Sequence, residues 1–364
     1  MNKKIRNVGI AIVLLIWIGV TCFSWFGPKQ DFSLWERRPL AQMPDLNADT
    51  LLSGSFMESF EEYTLDQFPA RDRFRTLKSL YSYHILQMQD NNGIYLTQGY
   101  AGKIEYPLNS VSVSHALKKL NYIYDTYLKD TDSQIYMTVI PDKGYYLAES
   151  GGYPAMDYEK LLTQMQIGMP WAEYINITGK LSAADYYRTD THWRQEKITP
   201  VAQTLCRRLQ IPMPELAPLL ATDQFYGVYY GQAALPMQPE KLYIMEGELI
   251  KNCPVYNHET KRYGNIYNTE KLSGPDPYEV YLSGPQAILT VENPSATTDR
   301  ELILFRDSFG SSLAPYFIQG YKTVTLVDIR YVSSSLLEEF ISFHGQDVLF
   351  AYSTLILNNS STMK

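Results

Sequence analysis

Cysteine is scarce in this chain, with three in 364 residues. Cys22 lies in an apolar run, so only Cys206 and Cys253 remain. They allow one disulfide or two free thiols, which excludes a disulfide-built scaffold. Histidine is also sparse, with five residues. No dense His/Cys motif accompanies them, which argues against a structural zinc site. Positive charge is in deficit, 32 Lys and Arg against 39 Asp and Glu, for a net charge of −7. With a pI near 5.4, that balance argues against a nucleic-acid-binding surface. Repeats and low-complexity tracts are missing. A composition of 45% hydrophobic and 20% charged residues excludes a mostly disordered chain, a collagen and a coiled coil. What the chain has in plenty is tyrosine: 30 residues, within an aromatic share of 13%. Aromatic faces suit sugar rings, and they serve ordinary packing more often.

The N-terminus carries the one long apolar run. Val8 to Phe26 holds no charge and follows Lys3, Lys4 and Arg6. A hydrocarbon core of ~30 Å needs ~20 apolar residues of helix. A secretory h-region is shorter, at ~7–15 residues, and ends at small residues. Here the run ends in Trp25-Phe26-Gly27-Pro28, so an uncleaved single-pass anchor is expected. Lys29, Arg37 and Arg38 follow it, so the charge bias across it is weak. The short basic tail places the N-terminus in the cytoplasm and the large domain outside.

Helical spacing of apolar residues predicts helices over 51–68 and 71–89, divided near Pro69, and over 111–128, capped by Ser110 or Ser112. Further helices are expected over 158–166, 197–209, 311–319 and 333–343. Strands are expected over 134–140, 173–177, 302–305, 323–327 and 347–352, with a short extended run at 94–96. Residues 211–281, rich in Pro, Gly and Tyr, read as loops and short strands. The closing alternation of strand and helix implies an α/β domain with a parallel sheet.

Two motifs carry chemistry. His192 sits in the polar stretch Thr189-Asp190-Thr191-His192-Trp193. A carboxylate two residues from an imidazole can hydrogen-bond it, fix its tautomer and stabilise its cation. The second motif is the apolar run Leu302 to Phe305 entering Arg306-Asp307-Ser308-Phe309-Gly310. A serine at such a strand-to-helix turn is exposed at the carboxyl edge of a sheet, where a helix N-terminus favours negative charge. Asp307 or Ser308 as a plain helix cap is the simpler alternative. Together the motifs make a Ser–His–Asp set, with Ser308 Oγ expected within ~3 Å of one His192 nitrogen and Asp190 on the other. Asp190, His192 and Glu196 have metal-ligating chemistry, but no second cluster completes a metal site.

These motifs resemble the DHHW family of bacterial surface proteins. They are also similar to the alginate O-acetyltransferases AlgJ and AlgX of the SGNH-hydrolase-like superfamily. Ser53-Gly54-x-Phe56, Asp66-Gln67-Phe68-Pro69-x-Arg71-Asp72, Ile140-Pro141-Asp142-Lys143, Phe225-Tyr226-Gly227 and Val327-Asp328-Ile329-Arg330-Tyr331 match in order. Thr191 stands at the second position of the name-giving motif, as in the alginate enzymes. Arg306 stands where SGNH hydrolases place Gly, and the Asp-x-His precedes the serine, the reverse of ordinary SGNH order.

The resemblance implies an SGNH-like three-layer α/β fold with a mostly parallel sheet behind a transmembrane helix. Residues 1–30 would form the tail and anchor, 31–92 a helical segment packed on the domain, and 93–364 the catalytic domain. It implies Ser308 as acetyl-carrying nucleophile, His192 as general base and Asp190 as its orienting partner. Lys143 and Arg330 would bind an anionic or hydroxyl-rich substrate, or form ion pairs with Asp142 and Asp328. Trp193 would stack on a sugar or pack. Arg306 is expected in ordinary strand geometry. Its guanidinium would enter the cleft to pair with an anionic sugar or Asp307, or point away, as strand alternation favours. The expected activity is O-acetylation of a cell-surface polysaccharide through an acetyl-serine. A membrane-bound O-acyltransferase would be the donor partner, and no cofactor is needed. An acetylesterase and a non-catalytic polysaccharide-binding subunit are the rival readings.

Overall fold

The computed structural model describes residues 3–364. Its contacts divide into two units, one of residues up to Asn91 joined by Tyr230–Pro236, the other of Asn92–Tyr229 and Met237–Lys364.

The first unit begins with helix α1, Lys3–Phe26. From Lys4 onward it is long and apolar enough to cross a membrane, and its most apolar 18 residues have a mean hydropathy of 2.3. Three further helices follow: α2 (Ala48–Ser53), α3 (Ser55–Asp66) and α4 (Arg71–Leu80). The single helix expected over 51–68 is broken because Gly54 adopts φ +80°, a left-handed conformation cheap only for glycine. Asn47 opens α2 by accepting from the Thr50 backbone N–H. The helix expected over 71–89 ends at Leu80 and continues as a wider turn, Tyr81–Ile85.

The second unit is built on an eight-stranded sheet. Its strands are β1 (Ile135–Ile140), β2 (Glu173–Tyr174), β3 (Val255–Asn257), β4 (Arg262–Gly264), β5 (Ile288–Glu292), β6 (Glu301–Arg306), β7 (Thr323–Val327) and β8 (Asp347–Ser353). The spatial order is β4-β3-β5-β7-β6-β8-β1-β2. From β7 to β2 neighbouring strands are parallel, and β4, β3 and β5 add an antiparallel edge. Alternation splits the core in two. Leu302, Leu304, Leu326, Leu349 and Ala351 face one layer with Val201, Leu205 and Phe309. Ile303, Phe305, Val348 and Phe350 face the other with Leu120, Leu161 and Leu357. Both faces are covered, which is why these strands read as unbroken apolar runs.

Other expectations shift locally. The helix over 111–128 is opened by Asn109, whose side chain accepts from Ser112 N, and not by a serine. The helix expected over 311–319 starts at Ser308 and gives way to a tighter turn at Ala314, where Pro315 has no N–H for the α pattern. The helix expected over 333–343 is only a short turn, Ser334–Glu339. The stretch 211–281 holds long strands, Ala217–Phe225 paired antiparallel with Glu240–Glu246.

Candidate active site

β6 ends at Arg306 beside the end of β8, and Asp307 turns the chain into the helix that starts at Ser308. Asp307 fixes that turn twice: one carboxylate oxygen accepts from Phe309 N at 3.0 Å, the other from Ser353 N at 2.8 Å. Asp307 is therefore the cap, and the Ser308 hydroxyl is left for another partner. That partner is His192, with Nε2 and Ser308 Oγ 2.7 Å apart. On the far side of the ring, Nδ1 lies 2.6 Å from Asp190 Oδ1. The imidazole bridges a hydroxyl and a fully buried carboxylate, which fixes Nδ1 as the protonated nitrogen and turns Nε2 toward the serine as an acceptor.

The carboxylate is itself held. Asp190 Oδ1 also accepts from His192 N at 3.0 Å, and Oδ2 accepts from Val228 N at 2.9 Å. Thr189 anchors the same loop: its hydroxyl donates to Glu240 and accepts from Gly227 N. Gly227 is needed there because a Cβ would fall 2.3 Å from the Asp190 Cβ and 2.4 Å from its backbone N. Gly227→Ala is therefore expected to displace Asp190. Ester-hydrolysis assays should show kcat down at least tenfold, with KM little changed.

Lys143 neither lines the cavity beside Ser308 nor pairs with Asp142, and Trp193 takes the packing role of its two alternatives. Lys143 is only 2% exposed. Its ammonium donates to the carbonyls of Tyr187, Arg188 and Asp190 at 2.9, 3.2 and 2.7 Å. It pins the loop that carries Asp190 and His192 and is not among the residues lining the cavity beside Ser308. It does not pair with Asp142, whose carboxylate bonds Thr354, Gly144 N and Tyr158. Burial pushes the Lys143 ammonium down to about 7, against the pull of Asp190, Glu240 and Asp142. Lys143→Met would leave three carbonyls without their donor. A stability loss of about 3 kcal/mol or more is expected, read as a lower midpoint in urea unfolding. Trp193 is fully buried, and its indole N–H donates to Ser312 Oγ at 2.8 Å, so it packs and cannot stack on a sugar.

Arg306 keeps strand geometry, as expected, but its side chain does not leave the cleft. With Ser308, His192, Tyr278, Arg330 and Tyr331 it lines a cavity of about 180 Å³. Its stem lies over Gly310, where a Cβ would come within 2.5 Å of the Arg306 Cβ. It pairs with Asp328 at 3.6 Å and not with Asp307, and its Nε and Nη2 are buried with no hydrogen-bond partner among the described residues. Arg330 grips the same Asp328 through both carboxylate oxygens, at 2.8 and 2.6 Å. Glu196, weighed above as a metal ligand, pairs with Arg194.

Tyr278 is a site residue the sequence reading missed. Its ring stacks on His192 with centroids 3.8 Å apart and planes 7° from parallel, and its hydroxyl bonds Ser312 Oγ. The stacked ring holds the imidazole plane between Asp190 and Ser308. Its place in a stretch read as loops gave no signal beyond the tyrosine itself.

No family model matches the chain, and no curated protein does. Solved structures do. A DHHW family protein from Eubacterium siraeum matches with a TM-score of 0.60 at 19% identity, over 75% of this chain and 95% of that one. Bacillus cereus PatB1 with a sulfonyl adduct matches with a TM-score of 0.57 at 17% identity, over 72% and 95%. The O-acetyltransferase domain of Pseudomonas putida AlgJ is a looser match, with a TM-score of 0.44 at 12% identity over 73% and 92%. The resemblance to DHHW proteins seen in the motifs thus extends to the fold.

Proposed function

We propose that this chain is a membrane-anchored, extracytoplasmic O-acetyltransferase that modifies a cell-surface polysaccharide through an acetyl-serine intermediate. The observation that carries this reading is the unbroken series Ser308 Oγ, His192, Asp190, with contacts of 2.7 and 2.6 Å, opening on a cavity at the carboxyl ends of parallel strands. The likeness in fold to PatB1, known with a sulfonyl adduct, supports a reactive nucleophile. The ordered motifs shared with the DHHW and alginate proteins support the polysaccharide acceptor.

The reaction divides into two balanced halves. His192 Nε2 takes the Ser308 proton as Oγ attacks the acetyl carbonyl. The oxyanion forms at a helix N-terminus, where negative charge is favoured. Collapse expels the donor's oxygen, which leaves with the proton from His192. A sugar hydroxyl then gives its proton to Nε2 and attacks the acetyl-serine, and the returned proton frees Ser308. Asp190 stabilises the imidazolium in both halves. The acetyl group would come from a membrane-bound O-acyltransferase partner, and an esterase differs only in that water takes the acceptor's place.

Arg306 and Arg330 would bind the acceptor. Two guanidiniums share one carboxylate, Asp328, and two Arg306 nitrogens have no partner among the described residues. That surplus suits an acidic group on the substrate. Arg306→Gln should raise KM for an acidic oligosaccharide roughly tenfold, the scale of one charge-assisted hydrogen bond. Hydrolysis of a neutral aryl acetate should change little, since Arg330 still neutralises Asp328. The direct test is an aryl acetate supplied with and without oligosaccharide: acetylated sugar supports transfer, and release of acetate alone despite acceptor supports the esterase.

A further inference from the structure

The apolar stripe of α4 faces outward. Phe74, Leu77, Tyr81 and Ile85 follow one another at helical spacing and are 55, 62, 52 and 67% exposed. The polar residues lie on the inward face instead. Arg75 donates to the Gly231 carbonyl at 2.8 Å, Ser79 donates to the Ala233 carbonyl, and Asn91 bonds both Ser79 and Ala233. Ser82 is buried on the same side. Those bonds lock the helix in rotation, so the apolar stripe cannot turn inward. A helix amphipathic in this inverted sense has its hydrophobic face waiting for a cover.

The same unit carries the features that point to a cover. α3 is fastened to the last turn of α1: the Tyr63 hydroxyl donates to the Trp25 carbonyl at 3.0 Å, Trp25 and Phe60 rings lie 5.5 Å apart, and the Lys29 ammonium sits over Tyr63. A cavity of about 400 Å³ is lined by Phe23 of α1, Phe68 and the opening residues of α4, Arg71 and Arg73. The start of α4 is thus at the level where α1 ends. Met57 and Leu65 of α3 are exposed as well. Arg73 and Lys78 are exposed beside the stripe, an arrangement of cations and apolar residues that suits an anionic bilayer surface.

We infer that α4 and the turn after it lie in the membrane interface, with Phe74, Leu77, Tyr81 and Ile85 among the lipids and the basic residues at the headgroups. The inference rests on α1 being a membrane anchor. Its consequence is a membrane-facing unit seated by two helices rather than one.

The test uses the full chain in liposomes of phosphatidylethanolamine and phosphatidylglycerol. Cys22→Ser leaves Cys206 and Cys253, whose thiols burial pushes up to about 12 and about 11 and which therefore resist labelling. Single probes are then placed by Leu77→Cys, Ile85→Cys, Val13→Cys and Glu149→Cys, and a thermal melt checks that each variant is folded. Lipids doxyl-labelled near the headgroup should quench the 77 and 85 probes several-fold more than the 149 probe, and aqueous iodide should quench them several-fold less. If those two probes behave like the 149 probe while the 13 probe is quenched from the bilayer centre, the inference is wrong and the anchor stands. If the 13 probe also escapes lipid quenching, the anchor reading itself fails and the inference falls with it.

Discussion

Ser308→Ala is expected to lower kcat/KM for acetyl transfer at least ~10³-fold, because in the proposed mechanism Ser308 carries the acetyl and without it only binding and oxyanion stabilisation remain. Stability should hold within about 0.5 kcal/mol, since Ser308 borders the cavity and its hydroxyl has no buried partner besides His192 Nε2 among the described residues. Rate assays beside a thermal melt separate the two effects. A variant that keeps its activity would remove the enzyme reading and leave the binding-subunit alternative.

Asp190→Asn should cost kcat about 10⁴-fold, the scale seen when a triad histidine loses its anionic partner. Here the substitution is worse than loss of charge. Oδ1 accepts from both His192 N and Nδ1, and Oδ2 accepts from Val228 N. An asparagine must turn its NH₂ toward one of those N–H groups, so either orientation sets donor against donor in a fully buried site. A loss of about 1–3 kcal/mol in stability is expected as well. Urea unfolding and the pH profile of kcat check both parts. Normal kcat with normal stability would mean that Asp190 neither orients His192 nor holds the loop.

Much of this site was legible because its chemistry is local in sequence. Asp190 and His192 are two residues apart, and the Ser308 turn follows a strand whose two buried faces make Leu302 to Phe305 one apolar run. What was hidden is the support that arrives from afar. Val228 N reaches Asp190 from 38 residues away, and Gly227 matters because of a backbone approach that no pattern announces. Lys143 was read from the family resemblance as a substrate binder or an ion-pair partner of Asp142, and its actual role depends on distant backbone carbonyls. Its three carbonyl partners lie in a loop more than forty residues on. Trp193 was ambiguous for the same reason: an indole serves a core or a sugar equally well until its N–H partner is known. The break between α2 and α3 turns on the left-handed Gly54, within a periodic stretch that alone favours one helix.

The most direct test of the central claim is to mix the full-length protein with an activated acetyl ester, quench within one turnover and map the acetyl group by peptide mass spectrometry. The account predicts one acetyl on Ser308, absent in Ser308→Ala, accumulating without acceptor and discharged when oligosaccharide is added. An acetyl group found on any other residue during turnover, or product formed while Ser308 never becomes modified, would contradict it.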